Sequence, residues 1–176
     1  MKRLFDKPSV VGYRRSKNLK DHLVRAKVPK GKKSTRKTPG FKDCGGFCVT
    51  CHLSENTSTH KNFQTGETWK INAELTCKSE DVVYTLKCRK CPPFIYVGET
   101  GNKFNVRVTQ HKGVITRGET EHPVGEHFNL PGHSFSDMIP TAIEQVLPKG
   151  DRILRLARER LWINRYNAKD GGANKI

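Results

Sequence analysis

Long apolar runs are missing from this chain. No stretch approaches the roughly 18 consecutive apolar residues of a membrane-spanning helix. Apolar residues make up only 34% of the 176, so part of the sequence is expected to lie outside any core. No apolar segment follows Met1-Lys2-Arg3 to act as a secretory leader, which points to an intracellular protein. Acids are scarce, with 17 Asp and Glu against 33 Lys and Arg. Cysteine is limited to six residues, and in an intracellular chain these suit metal rather than disulfides. None sits in the strand-turn-helix setting of a nucleophile, which argues against a catalytic thiol. No internal repeat is present.

The net charge of +16 is unevenly spread. Residues 1–43 hold 15 Lys and Arg against 3 Asp, or +12, while the other 133 residues carry +4. A basic arm on a nearly balanced body points to a polyanion, most commonly nucleic acid. A solubilising tail is the plainer alternative. Within the arm, Asn18 suits the cap of a short helix with Leu19, Leu23 and Ala26 on one face. PKGKKSTRK at residues 29–37 fits a nuclear-import cluster. Residues 29–42 carry five Lys, one Arg and no acid, and read as a disordered linker.

Order begins at Cys44-Gly-Gly-Phe-Cys48-Val-Thr-Cys51, a glycine-rich turn able to point three sulfurs inward. Thr65-Gly66-Glu67 reads as a turn. Residues 68–71 and 73–76 read as two short strands paired with each other, leading to Cys77. Residues 82–85 and 95–97 are β-branched and aromatic, the composition of strands. Cys88-Arg-Lys-Cys91 and Pro92-Pro93 interrupt them. After Gly98 the period changes: Phe104, Arg107/Val108 and His111 recur at helical spacing and share one face.

Residues 113–138 read mainly as loop, with a short helix near residues 125–128. Residues 139–147 suit a third strand, which Pro140 restricts to an edge or a bend. Asp151 is placed to cap a helix from Arg152 to about Asn167. Its expected apolar face is Ile153, Leu154, Ala157 and Leu161, and Gly171-Gly172 is expected to end regular structure.

Two metal constellations stand out. A two-residue gap lets both sulfurs of Cys88 and Cys91 reach one zinc ion, and His127 and His133 fit a second ligand pair. The 35 residues between the pairs are too many for a compact finger, so the fold must assemble this site. The other four cysteines, Cys44, Cys48, Cys51 and Cys77, suit a structural zinc site. His52 and His60 compete for its fourth place. Reduced free thiols and solvated histidines are the alternative for both clusters.

Taken together, Val82-Val83-Tyr84, Tyr96-Val97-Gly98, Arg107, His111, Glu159 ahead of Trp162-Ile163, and Asn174 resemble the ordered motifs of the GIY-YIG nucleases. The first motif keeps only its Tyr; its Gly and Ile are absent. The nearest resemblance is to the endonuclease region of Penelope-like retroelements. It rests on CxxC between the two motifs, HFNLPGH at residues 127–133, the cysteine-rich segment upstream, and YRRSKNLKDHLVRAKV at residues 13–28, similar to the segment after the reverse transcriptase there. No polymerase domain is present in this chain.

The resemblance implies Cys88, Cys91, His127 and His133 as one zinc set. It implies Tyr84 as general base and Tyr96 as the residue that orients phosphate or water. Glu159 would hold a catalytic Mg²⁺ or Mn²⁺, and Asn174 would steady the site or contact the phosphate. The chemistry suits the residues. An Arg107 fork can meet growing phosphate charge, and His111 one turn on can assist proton transfer. A phenol is a poor base at neutral pH unless cations or a metal lower its pKa. Each residue also has a plain role: Tyr84 and Tyr96 as a cross-strand aromatic pair, Arg107 and His111 as a solvated helix face, Glu159 as a surface partner of Arg155.

The expected fold is α+β: a small three-stranded, mainly antiparallel sheet flanked by helices. Residues 1–42 form the arm and linker, 43–80 a zinc module and 81–176 a nuclease domain. The expected function is metal-dependent DNA cleavage in the nucleus, with two structural Zn²⁺ ions and one catalytic Mg²⁺ or Mn²⁺. The arm would contact DNA or RNA, and a longer parent protein would supply a reverse transcriptase. The alternatives are an inactive zinc-dependent nucleic-acid-binding module and a protein-interaction domain.

Overall fold

The computed structural model of the chain describes residues 12–13, 38–168 and 173–174. The short helix expected near Asn18, most of the linker and Gly171-Gly172 lie outside these residues. Among the described residues no helix is long and apolar enough to cross a membrane.

The centre is a three-stranded antiparallel sheet in the order β6-β5-β7, built from β5 (Val82–Cys88), β6 (Ile95–Thr100) and β7 (Met138–Gln145). Both neighbours of β5 run against it, so this sheet is wholly rather than mainly antiparallel. β5 is central and covered on both sides, which explains its nearly unbroken burial. Pro140 lies on the outer strand β7, where one missing donor is tolerated. The β5–β7 register shifts between Val83 and Tyr84. Such a bulge twists a strand locally and is common beside functional sites.

Two small sheets flank the centre. β1 (Gly40–Lys42) pairs in parallel with β4 (Glu74–Thr76), and β2 (Thr59–Lys61) pairs antiparallel with β3 (Thr68–Lys70). The segments at 68–71 and 73–76 were expected to pair with each other, and they do not. Each finds a partner upstream in the chain. The last three residues of the expected linker are strand β1, and Phe41 is wholly buried against Phe104. One apolar side chain at the right register outweighs a polar local composition.

Among the described residues there are four α-helices: α1 (Val49–Leu53), α2 (Phe104–Thr116), α3 (Pro123–Phe128) and α4 (Arg152–Tyr166). A 3₁₀ turn spans Phe135–Asp137. Residues 113–138 therefore hold more helix than expected. α2 buries Phe104, Val108, His111 and Ile115, the face read from its spacing. Asp151 caps α4 by accepting from Leu154 N at 2.9 Å. Half of the expected apolar face of α4 holds: Leu154 and Leu161 pack against the back core, while Ile153 is 82% exposed and Ala157 is exposed. The residues α4 buries most fully are Arg155, Trp162 and Tyr166. Aromatic partners on the β2–β3 hairpin and two acids on the sheet decide which side turns inward.

Strand alternation divides the core. Tyr84, Leu86 and Cys88 pack with Phe104, Val108 and Phe128 on one face, here called the front. Val83 packs with Val97, Ile143, Trp162 and Tyr166 on the other, the back. The front cluster also contains Phe41, Leu53, Ile71 and Leu75, so the cysteine-rich segment shares the core of the central sheet.

Candidate active site and metal centres

The front face gathers polar groups around Tyr84, a wholly buried residue. Its hydroxyl lies 2.8 Å from His111 Nε2 and accepts from Arg107 Nε at 3.0 Å. Arg107 Nη1 reaches Gln110 Oε1 at 3.0 Å. Tyr96 lies two positions along the partner strand from Gly98, the residue opposite Tyr84. The two tyrosine rings are 6.4 Å apart, the diagonal spacing of neighbours on one face. A cleft of about 170 Å³ opens here, lined by Tyr96, Arg107, Gln110, His111, His122 and Val124. α2 supplies one wall and the start of α3 the other.

Gly98 makes this geometry possible. A Cβ there would lie 2.6 Å from the Tyr84 hydroxyl and 2.9 Å from the Tyr96 ring. The Tyr84 ring crosses the backbone of β6 where any side chain would stand. Sequence reasoning marks Gly98 as the end of a motif and the point where the period changes, and carries no sign of this close approach.

Electrostatics in the cleft oppose an easy general base. Burial raises the pKa of both tyrosines, and Arg107 offsets only part of that rise. His111 is pushed down to about 3 by burial, then by Arg107 and His122. It is therefore neutral at pH 7. With Nε2 unprotonated, His111 can accept the Tyr84 hydroxyl proton while Arg107 donates to the Tyr84 oxygen.

Glu159 lies within electrostatic reach of Arg107 and both tyrosines. Burial raises its pKa, and the charge of Glu99 raises it further. A carboxylate so placed gains from a cation. Arg155 is not its partner. Arg155 Nη1 meets Asp81 Oδ1 at 2.5 Å and Nε meets Glu99 Oε2 at 2.8 Å. Arg155 thereby neutralises Glu99, whose charge acts on Glu159, and fixes α4 on the ends of β5 and β6. It is 8% exposed, and sequence reasoning missed this role because its two acids lie 74 and 56 residues away.

Asn174 sits at the edge of β6. Its side-chain amide accepts from Val97 N at 2.9 Å and donates to Val97 O at 2.7 Å. Both functions of the amide are thus committed to the strand carrying Tyr96. That holds the amide against the strand and leaves one of its two N–H donors uncommitted.

Each set of four metal-type ligands converges. The ligand atoms of Cys44, Cys48, Cys51 and Cys77 all lie within 4.8 Å of one another, as do those of Cys88, Cys91, His127 and His133. Four sulfurs about 2.3 Å from a tetrahedral zinc stand about 3.8 Å apart. The observed separations of 4.0, 3.2, 3.4 and 3.5 Å bracket that value. Crowding sets the thiols against one another: contacts with Cys77 and Cys51 lower Cys44 to about 7, while burial pushes Cys51 up to about 11. A dication is the natural means of keeping all four as thiolates. His60, a competitor for this site, instead pairs through Nδ1 with the Tyr166 hydroxyl, and His52 is exposed outside the cluster.

In the second set, Cys91 Sγ and His133 Nε2 are 3.2 Å apart. His127 Nε2 is buried without a protein partner, a costly state that a metal would relieve. Its ring stacks on Phe94, 3.5 Å between centroids, which fixes its direction. The donor chemistry of both sets fits zinc.

Among solved structures, the catalytic domain of homing endonuclease I-TevI is similar to this chain. The TM-score is 0.46 at 22% sequence identity, over 54% of this chain and 97% of that one. No family model matches the chain. No curated protein matches it.

Both clusters buttress the cleft. The carbonyls of Cys77 and Ser79 accept from Asn105 N at 2.7 Å and Phe104 N at 2.9 Å. They satisfy the first turn of α2, whose N-cap Lys103 makes no side-chain bond. The four-cysteine cluster thus holds the helix carrying Arg107 and His111. The second cluster ties the end of β5 to α3, the opposite wall.

Proposed function

We propose that this protein is a metal-dependent DNA endonuclease of the GIY-YIG type. The observation supporting this most is the Tyr84 hydroxyl held between His111 Nε2 and Arg107 Nε at 2.8 and 3.0 Å, beside Tyr96 and Glu159. In this reading the scissile phosphate enters the cleft against Arg107, whose guanidinium meets charge developing in the transition state. Water gives its proton to the Tyr84 oxygen as Tyr84 passes its own to His111 Nε2. As the water oxygen bonds phosphorus the P–O3′ bond breaks, the proton passes on from His111 through water to the leaving 3′ oxygen, and a buried phenolate is avoided. Glu159 is the residue that would hold a divalent ion, which when bound supplies Lewis acidity to the phosphate oxygens. Zn²⁺ at the two four-ligand clusters would be structural.

The wider setting rests on the sequence resemblance alone. The cut would be a target-site nick for retroelement insertion, leaving a 3′ hydroxyl to prime reverse transcription. It would take place in the nucleus, with a reverse transcriptase supplied by a longer parent protein. Residues 1–42 would bind DNA or RNA, residues 43–80 would be the zinc module and 81–176 the nuclease.

One observation favours a second reading, an inactive nucleic-acid-binding module on the same fold: Tyr84 is fully buried and its pKa is raised. Nicking of supercoiled plasmid, with and without Mg²⁺, decides between them. Cleavage by wild type and none by Glu159→Ala is expected. A wild type that binds DNA and never nicks it would establish the inactive module.

A further inference from the structure

The back of the central sheet carries a groove that cleavage at the front leaves unused. It has a volume of about 390 Å³ and runs between the β2–β3 hairpin and the back of β5 and β7. Three of its features point to one kind of ligand.

The first is charge. Lys61, Lys87 and Arg89 line the groove with one acid, Glu55. Arg89 Nη1 pairs with Glu55 at 3.0 Å, so Lys61 and Lys87 remain as net cations. The second is an exposed aromatic ring. Phe63 lies in the turn after β2 and is 55% exposed. Lys87 Nζ stands 4.8 Å from its centroid and donates to the Lys61 carbonyl at 3.0 Å. The lysine holds one face of the ring, and the other can receive a planar group. The third is a polar floor. His60 and Thr85 line the groove and are 4% and 0% exposed. His60 Nε2 and Thr85 Oγ1 have no protein partner. Unpaired buried polar atoms are costly, and they suit a hydrogen-bonding ligand better than an apolar one.

Cations interleaved with an exposed ring form the platform that single-stranded nucleic acid uses: phosphates follow the charges and a base stacks on the ring. Duplex bases are already stacked and cannot lie on Phe63. We propose that this groove is a second nucleic-acid site, which takes single-stranded polynucleotide with a base on Phe63 and the adjoining phosphate between Lys61 and Lys87. Thr85 and Lys87 alternate with Tyr84 and Leu86 along β5, so one strand would serve duplex at the front and single strand at the back. The site stands whether or not the front face cleaves.

The test compares two labelled ligands for the full chain at fixed salt: a thymidine decamer and an abasic decamer with the same phosphates. Fluorescence anisotropy should show at least a fivefold preference for the thymidine decamer. Phe63→Ala should abolish that preference and leave abasic binding unchanged, since a stacked base contributes about 5- to 150-fold in affinity. Lys61→Ala should weaken both ligands alike and lower the salt slope by about 0.7. A decamer carrying 5-iodouracil should photocrosslink to residues 59–63 or 85–89. Equal binding of the two decamers by wild type, a preference that survives Phe63→Ala, crosslinks confined to residues 1–37, or equal competition by polyglutamate would each overturn the site. Phe63 is half exposed, so Phe63→Ala should fold, and an unchanged melting curve checks that.

Discussion

The two faces of the central sheet bury comparable histidines and tyrosines for different ends. On the front, Tyr84 and His111 are bonded to each other, with Arg107 completing the set at the lip of a cleft. On the back, Tyr166 and His60 are bonded to each other inside an aromatic cage. There the rings of Trp69 and Trp162 are 5.5 Å apart and that of His60 is 4.8 Å from Trp162. The same pair of residue types thus sits beside a guanidinium on one face and among tryptophan rings on the other. A Tyr–His contact alone says little about chemistry; the distinction is that Arg107 bonds the Tyr84 hydroxyl on the front, whereas His60 and Tyr166 on the back are packed among tryptophan rings.

Removing metal should break the comparison most severely, because binding energy at structural zinc sites is folding energy. Protein purified under reducing conditions without chelators should carry about two zinc ions per chain by elemental analysis. Chelation should loosen the front first, where both clusters hold α2 and α3. Tryptophan fluorescence from Trp69 and Trp162, both tied to the back cluster, should change later than DNA binding at the cleft. Cys91→Ser should lose about one ion. Metal-free protein with an unchanged melting curve would remove both assignments.

Two substitutions of opposite kind sharpen the contrast. Arg107→Ala should cut plasmid nicking by about two to three orders of magnitude, a typical loss for one such electrostatic contact, with little change in stability. Arg107→Lys should rescue it only partly, since an ammonium lacks the planar fork. Trp162→Ala on the back should lose about 3–5 kcal/mol of stability, the usual cost of emptying a buried aromatic site. Its activity per folded molecule should fall far less than that of Arg107→Ala. If the two variants exchange phenotypes in denaturation and nicking assays, the faces have been assigned the wrong way round.

The hydroxyl deletions are subtler. Tyr84→Phe and Tyr166→Phe each leave a buried histidine without a partner, which costs about 1–3 kcal/mol. Only Tyr84→Phe should also stop nicking. Cleavage at the wild-type rate by folded Tyr84→Phe would reduce Tyr84 to a packing residue.

The smallest effect is on pH dependence. Burial, then Lys87 and Arg165, hold His60 down to about 4, while His111 is held at about 3. Both folded values lie below the roughly 6.5 of an unfolded histidine. The unfolded chain therefore takes protons that the folded chain refuses. Stability is complete above about pH 6.5 and declines as the pH falls toward those folded values, by at most about 1.4 kcal/mol per pH unit for each histidine. Metal ligands protonate over the same range, so the readout is the difference between wild type and His60→Gln or His111→Gln. An acid slope unchanged in either variant would show that histidine to be charged in the fold.

Much of the front was legible in the sequence because its signals are local. The period change after Gly98 places Arg107 and His111 on one face of α2, and Cys88-x2-Cys91 needs only its own spacing. Asp151 announces a helix start by its side chain alone. The back was not legible. Its cage joins residues from 60 to 166, and the wheel of α4 suggested an aliphatic face through Ile153 and Ala157, both of which are exposed.

What the sequence by itself determined, then, is the element types of β5, β6 and α2, the two ligand sets by residue type, and a basic arm on a nearly neutral body. These follow from periodicity, spacing and composition, which act over a few residues. Only the tertiary structure decided that Arg155 is buried between Asp81 and Glu99, that Tyr84 crosses Gly98, that Asn174 clamps Val97 and that 68–70 pairs with 59–61 rather than with its neighbour. Each of those depends on partners tens of residues away. Long-range charge pairing, close backbone approach and strand register have energies fixed by three-dimensional proximity, and no local pattern encodes them.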